Sequence, residues 1–330
     1  MQVHVQYDEV SFKGVSDGDI IFLKTDSDFF EPLVIKNANF PGIGVTLIIQ
    51  KKMITRSENF NVLRTFNAWN KGLIEKGPIN YQGAMVYCED CHGLKVRGGQ
   101  TFGGLYGVEA IDCTKISWIR TATTATGQQG IITRHDIDRN AEHTLVNIDI
   151  IQTGLKKKQY GEGIKIGDDE LRKGRIKARI LQPTISSTTN EAIDIKAQCD
   201  DFVVTGSMLE DINLQFNGAI TYATAASSHY SIGKGELTEN TIKNVQSNYM
   251  PNYFAIGDGK VTMNKNILIN ETGVKARALG VFSTFSSASD TCIKGKDNIL
   301  IGEFLEHEIT DGGTKLDVVC KDLNVHWIKR

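Results

Sequence analysis

Short segments in which apolar and polar residues alternate recur along most of the chain. "TLVNIDIIQT" (144–153), "GRIKARILQP" (174–183), "DFVVTGSMLED" (201–211), "HYSIGKGELTEN" (229–240), "GKVTMNKNILIN" (259–270), "TCIKGKDNILIG" (291–302) and "KDLNVHWIK" (321–329) each read as a strand with one buried face. Between many of them lies a second short strand entered through a small residue, as in "GEGIKIG", "NEAIDIK" and "NGAITYA". Aligning Glu162 with Glu191 and Asn190 with Asn217 gives spacings of 29 and 27 residues. Nearer the N-terminus "VYCEDCHGLKV" and "VEAIDCTKISW" repeat at 22, with Asp90-Cys91 over Asp112-Cys113.

Two or three short strands per unit, at a period of 22 to 33 residues and with no heptads, predict an all-β, single-stranded right-handed parallel β-helix. A propeller blade needs four strands in roughly 40 to 45 residues, and a leucine-rich repeat needs its Leu/Asn signature. A sandwich does not hold one period over most of a chain. The expected organisation is one domain over residues 1–330, with an N-terminal cap at 1–15 and a C-terminal cap at 300–330. Successive coils lie about 4.8 Å apart, so equivalent side chains stack. Cys91, Cys113 and Cys199 then read as buried ladder members. Cys292 and Cys320, 28 residues apart and so nearly one coil, are candidates for a disulfide, which favours an extracellular setting.

Alternation assigns faces within a coil. With Ile164 and Ile166 inside, Gly163, Lys165 and Gly167 point out. One coil on, Ile193 and Ile195 point in and Ala192, Asp194 and Lys196 out; then Ile220 and Tyr222 in, Ala219 and Thr221 out. The expected outer column is Lys165–Asp194–Thr221, flanked by Lys196 and by small residues that leave room for a ligand. "QQGIITRHD" brings Arg134 and His135 to the edge of this groove, and Glu162 and Glu191 stand at equivalent strand starts. Tyr160, at the head of "YGEGIKIG", joins Asp194, Glu191 and Thr221 as a candidate substrate contact. The plainer reading stays open beside this one. Surface strands of any solenoid alternate Ile with Lys, Asp and Thr, and a Lys–Asp step is an ordinary cross-strand pair.

"GVSDGDIIFLKTDSDFFEPLVIKNANFPGIGVTLIIQ" (14–50) resembles the opening coil of polysaccharide lyases and related secreted β-helix proteins of the pectate lyase-like superfamily. "GEGIKIG" and "NEAIDIK" resemble paired strands of the same group. The resemblance implies a secreted protein that acts on, or binds, an acidic polysaccharide. It implies β-elimination on a uronic-acid polymer, with Lys165 as the base because these lyases carry a lysine in a similar strand. Lys196, Arg134, His135 and Glu162 complete the catalytic candidates. It also implies calcium as the cofactor, with Asp194, Asp168 and Asp169 as candidate ligands. An unperturbed lysine near pKa 10.4 is a poor base at neutral pH. The elimination reading therefore works best if Asp194 is occupied by Lys196 or by a metal.

Composition narrows the partners. A net charge of -2 argues against nucleic acid, which usually demands a basic excess. No apolar run approaches the roughly 18 to 20 residues of a membrane span. "MQVHVQYDEV" lacks a signal-peptide core, so the expectation is either a protein that stays inside the cell or a secreted one represented in mature form with Met1 added. Oligomeric state is open, monomer included. Three functions stand: a lyase; a glycoside hydrolase pairing Asp194 with Glu162 or Asp168; and a non-catalytic polysaccharide-binding or structural β-helix. "NET" at Asn270 is a sequon only on a eukaryotic secretory route.

Overall fold

The computed structural model describes residues 2–4, 9–24, 33–49, 84–135, 139–167, 174–215, 217–222, 233–257, 259–283, 292–311 and 322–330. Their strands form two sheets, one of nineteen strands and one of eleven, and every pairing in both is parallel. A typical coil gives one strand to the smaller sheet and two to the larger. Ile193–Ile195 is followed by Cys199–Thr205 and Met208–Leu214, and the next coil repeats this with Gly218–Tyr222, Lys234–Thr238 and Thr241–Ser247. The architecture is a parallel β-helix.

Period-2 alternation builds its core. Ile131, Ile164, Ile193, Ile220, Phe254 and Leu279 stand in register from coil to coil, all fully buried. Tyr222 also turns inward, where it packs on Phe202 with ring centroids 4.5 Å apart and donates its hydroxyl to Cys199 O. Cys91, Cys113 and Cys199 are buried ladder members, as the repeat predicts. Cys320 lies outside the described residues, and with it the Cys292–Cys320 pairing. Strands run through both expected caps: Gln2–His4 pairs with Ile20–Lys24, and Asp322–Lys329 with Cys292–Gly302. Asn270 spends its side-chain nitrogen on Val274 O and Glu303 O at 2.7 and 2.9 Å, so the folded chain offers no free amide for a glycan.

One residue of left-handed backbone bends successive coils on the larger sheet, between two strands at Arg120, Asn147, Gln182, Gly206, Glu239 and Lys265 and within the strand Cys292–Gly302 at Asp297, with φ between 51° and 65°. For an L-residue other than glycine this conformation costs about 1–2 kcal/mol. In the C-terminal coils the next residue offsets that cost. Asn240, Asn266 and Asn298 stack inside the bend, fully buried. Asn266 Nδ2 donates to Leu237 O and Asn298 Oδ1, both at 2.9 Å, and Asn266 Oδ1 accepts from Asn240 N and Nδ2 at 3.1 and 3.0 Å. Asn266→Ala strands several of these groups at once, each costing about 1–3 kcal/mol when buried and unsatisfied. We expect the urea midpoint to fall by an amount equivalent to at least about 2 kcal/mol. An unchanged midpoint would show that water replaces the ladder at no loss.

Candidate functional site

The outer face of the smaller sheet carries the expected column. Register places Glu109, Ile132, Lys165, Asp194 and Thr221 directly above one another in successive coils. Lys196, two residues beyond Asp194, reaches back to it with Nζ 2.8 Å from Oδ2. The condition that the elimination reading sets for Asp194 is therefore met.

The small residues face the other way from their expected position. A Cβ on Gly163 would lie 2.7 Å from Ile185 Cγ2, and one on Gly130 2.8 Å from Ile150 Cγ2. Ala192 and Ala219, equivalent to them, belong to the core. This row fills the interior corner where the chain enters each strand, and only small side chains fit against the isoleucines of the larger sheet. Two successive residues, Gly163 and Ile164, therefore face inward, and the alternation breaks. The residue before them turns outward instead. Glu162 and Glu191 thus join the face of Lys165 and Asp194, and the charges of Asp194, Lys165 and Lys196 act on Glu162.

The resulting cluster points out of the coil yet is shielded from water. Lys165 is 7% exposed, Lys196 8%, Glu162 3%, Glu191 2% and Asp194 1%. The face is neither an open groove nor a solvated ladder. Burial, with Asp194 adding to it, raises the Glu162 pKa to about 7 against the opposing charges of Lys165 and Lys196. Burial also pushes Glu191 well above the carboxylate range, helped by Asp194 and Glu162 and opposed by a hydrogen bond from Asn217. Gln129 Nε2 donates to Glu162 Oε2 and Asn217 Nδ2 to Glu191 Oε1, each at 2.8 Å. Asp194 Oδ1 and Glu191 Oε2 are buried with no hydrogen-bond partner among the described residues. Unpaired buried acceptors cost about 1–3 kcal/mol each, so the fold tolerates a strained set of charges here.

The remaining candidates fall elsewhere. Arg134 lies on the same face toward the N-terminal coils, its Nε 3.6 Å from Glu109 Oε1 and its Nη2 donating to Tyr106 Oη at 2.9 Å. His135, one residue on, faces inward as alternation requires. It is fully buried, bonded to Arg139 O, and stands beside His143, whose pKa burial and His135 lower to about 3. The groove-edge position expected for His135 is thus not where it sits. Thr221 is also fully buried and turns its hydroxyl onto Gly218 O at 3.1 Å. Tyr160 ends a short 3-10 turn, Lys158–Tyr160, and is exposed, with Lys157 Nζ 5.6 Å from its ring centroid.

Asp168 and Asp169 lie outside the described residues. Among those described, no group of three histidines, cysteines or carboxylates is arranged to hold a metal. Asp194, Glu162 and Glu191 each have one oxygen already engaged, and two lysines share their space. Calcium takes six to eight oxygens, so this donor set does not fit it. Sequence reasoning passed over Tyr106, Glu109, Gln129 and Asn217. Gln129 could have been found, because it is equivalent to Glu162 and Glu191 in the two coils above.

No family model matches the chain, and no curated protein matches it. Among solved structures it is similar to an alginate lyase from Paenibacillus sp. str. FPU-7, at 13% identity over 90% of this chain and 94% of that one, with a TM-score of 0.54. It is also similar to PfbA, a surface adhesin of Streptococcus pneumoniae, at 10% identity over 99% and 82%, with a TM-score of 0.47. At 13% identity the likeness to the lyase shows the class of fold, a parallel β-helix, and nothing finer.

Proposed function

We propose that the protein is a polysaccharide lyase that cleaves a uronic-acid-containing polymer by β-elimination at the Lys165 cluster. One observation carries the reading: Lys165 stands beside a carboxyl whose pKa is near 7, on a face where Asp194 is already paired with Lys196. An acid whose proton affinity is brought to the working pH, with an amine beside it, is an arrangement that proton transfer in both directions can use. Likeness to an alginate lyase is compatible with this, but the chemistry of the cluster supports it.

In its deprotonated form, Lys165 Nζ takes the proton on C5 of the uronate. The C–H electron pair becomes the C4–C5 double bond, and the C4–O bond breaks with its pair going to oxygen. Glu162 gives its proton to that oxygen. Lys165 then returns the captured proton to the Glu162 carboxylate beside it, restoring both groups. Glu191, held neutral by burial, donates a hydrogen bond to the substrate carboxylate and so makes the C5 proton more acidic. Arg134 and Tyr106, half-buried on the same face, dock the neighbouring sugar.

Digestion of polyuronates, followed both by ultraviolet absorbance of new unsaturated ends and by reducing ends, tests the proposal. We expect both signals to rise together, with activity falling above about pH 7 as Glu162 loses its proton. Reducing ends without absorbance would replace elimination with hydrolysis, Glu162 serving as acid opposite Asp194. Binding without either signal would leave a non-catalytic carbohydrate-binding β-helix.

A further inference from the structure

The outer face of the larger sheet gathers cations in one place. Elsewhere on the solenoid, several lysines meet a carboxylate across the coil. Lys243 stands 3.4 Å from Glu210 and 3.3 Å from Glu271, Lys265 stands 3.4 Å from Glu239, and Lys36 stands 2.8 Å from Glu89. On the row of strands Ile176–Leu181, Cys199–Thr205, Lys234–Thr238, Lys260–Asn264 and Cys292–Gly302, cations gather with too few carboxylates to pair them all. Lys234 lies directly under Lys260 in register, a like-charge step that opposes pairing. Lys260 and Lys294 have no ion pair among the described residues. Asp201 is already shared between Arg179 at 2.9 Å and Lys234 at 3.7 Å, which holds its carboxyl below the usual range against the effect of partial burial.

These side chains line a concave surface of about 380 Å³, where four cations (Arg179, Lys234, Lys260 and Lys294) face two carboxylates, Asp201 and Glu236. The chain as a whole carries -2, so the local excess does not follow from composition. From the coil of Arg179 to that of Lys294 is four steps, about 19 Å along the solenoid axis at roughly 4.8 Å per coil. A single small anion spans one step of such a row, whereas a linear polyanion meets all of it.

We infer that this depression is a second binding site, separate from the Lys165 face, that holds an acidic polysaccharide chain along the solenoid axis. It stands on its own charges and survives if Lys165 proves not to be catalytic. A chain anchored here keeps a polymer on the protein while its other segments reach the smaller sheet. Binding is electrostatic and weakens as salt screens it.

The test is calorimetric titration at low salt with chelator present, using polygalacturonate and, separately, galacturonate monomer. Wild type is compared with Lys260→Glu/Lys294→Glu and with Lys260→Gln/Lys294→Gln, the latter keeping the fold if charge reversal disturbs it. The expected result is at least a tenfold weaker polymer affinity in both variants, a shallower salt dependence, and no detectable binding of the monomer. Breakdown of short substrates stays at the wild-type rate. Polymer affinity unchanged in the glutamine variant overturns the inference, as does equal binding of monomer and polymer. A change in self-association on light scattering, with polymer affinity intact, would assign the face to a second copy of the chain and overturn it equally. Loss of activity on Lys165→Met with polymer affinity intact separates this site from the proposed catalytic one.

Discussion

Lys165→Met lowers turnover of a uronate polymer by about a hundredfold to ten-thousandfold, the range that a positioned general base contributes. Methionine keeps the length and buries without a charge, so the neighbouring coils have no reason to move. The same substitution removes the charge that holds the Glu162 pKa down. Residual activity should therefore persist to higher pH than in wild type. Lys165→Arg separates base from counter-charge: arginine keeps the positive charge beside Glu162 but stays protonated at any working pH. If Lys165 only balances the acids, arginine restores activity; if it is the base, arginine is as poor as methionine. Undiminished turnover in Lys165→Met would remove the lysine from the mechanism.

The second large effect concerns stability. Burying two lysines and three carboxylates is expensive, and replacing buried ion pairs with neutral groups of similar volume is often stabilising by 1–4 kcal/mol. The variant Glu162→Gln/Lys165→Met/Glu191→Gln/Asp194→Asn/Lys196→Met keeps the acceptors used by Gln129 and Asn217 and removes every charge of the cluster. Its stability at neutral pH should equal or exceed that of wild type by a margin in that range. The pH dependence must also change. Folded Glu162 titrates near 7 and an unfolded glutamate near 4.5, so between these values the native state holds more protons. Wild-type stability is therefore fully present below about 4.5 and declines as pH rises toward 7. The neutral variant lacks this slope.

How far the sequence carries these conclusions depends on which physical rule each feature obeys. The coil and the Lys165–Asp194–Thr221 column follow from period-2 alternation and a repeat of 29 and 27 residues, both visible in one chain. Glu162 and Glu191 were harder, because strict alternation aims them inward. Their outward turn depends on Gly163 and Ala192 filling the corner against the larger sheet, a contact made by residues far apart in sequence. Burial of the cluster is not encoded in alternation at all, since period 2 distinguishes inside from outside but not covered from open. The asparagine ladder left a faint trace: Asn240 and Asn266 each precede a strand, Asn298 sits at an irregularity within Cys292–Gly302, and all three follow a residue with positive φ. Single asparagines at turns are common, and only the stacking of coils gives these three a shared purpose.

That the fold tolerates these five buried ionisable groups for chemistry and not for its own stability is the claim on which the functional reading rests. The denaturant midpoint of the five-substitution variant at neutral pH tests it most directly. A midpoint at or above that of wild type, in a protein that no longer breaks down the polymer, is the predicted result. A midpoint well below wild type would show that the cluster holds the coils together, and would contradict the account.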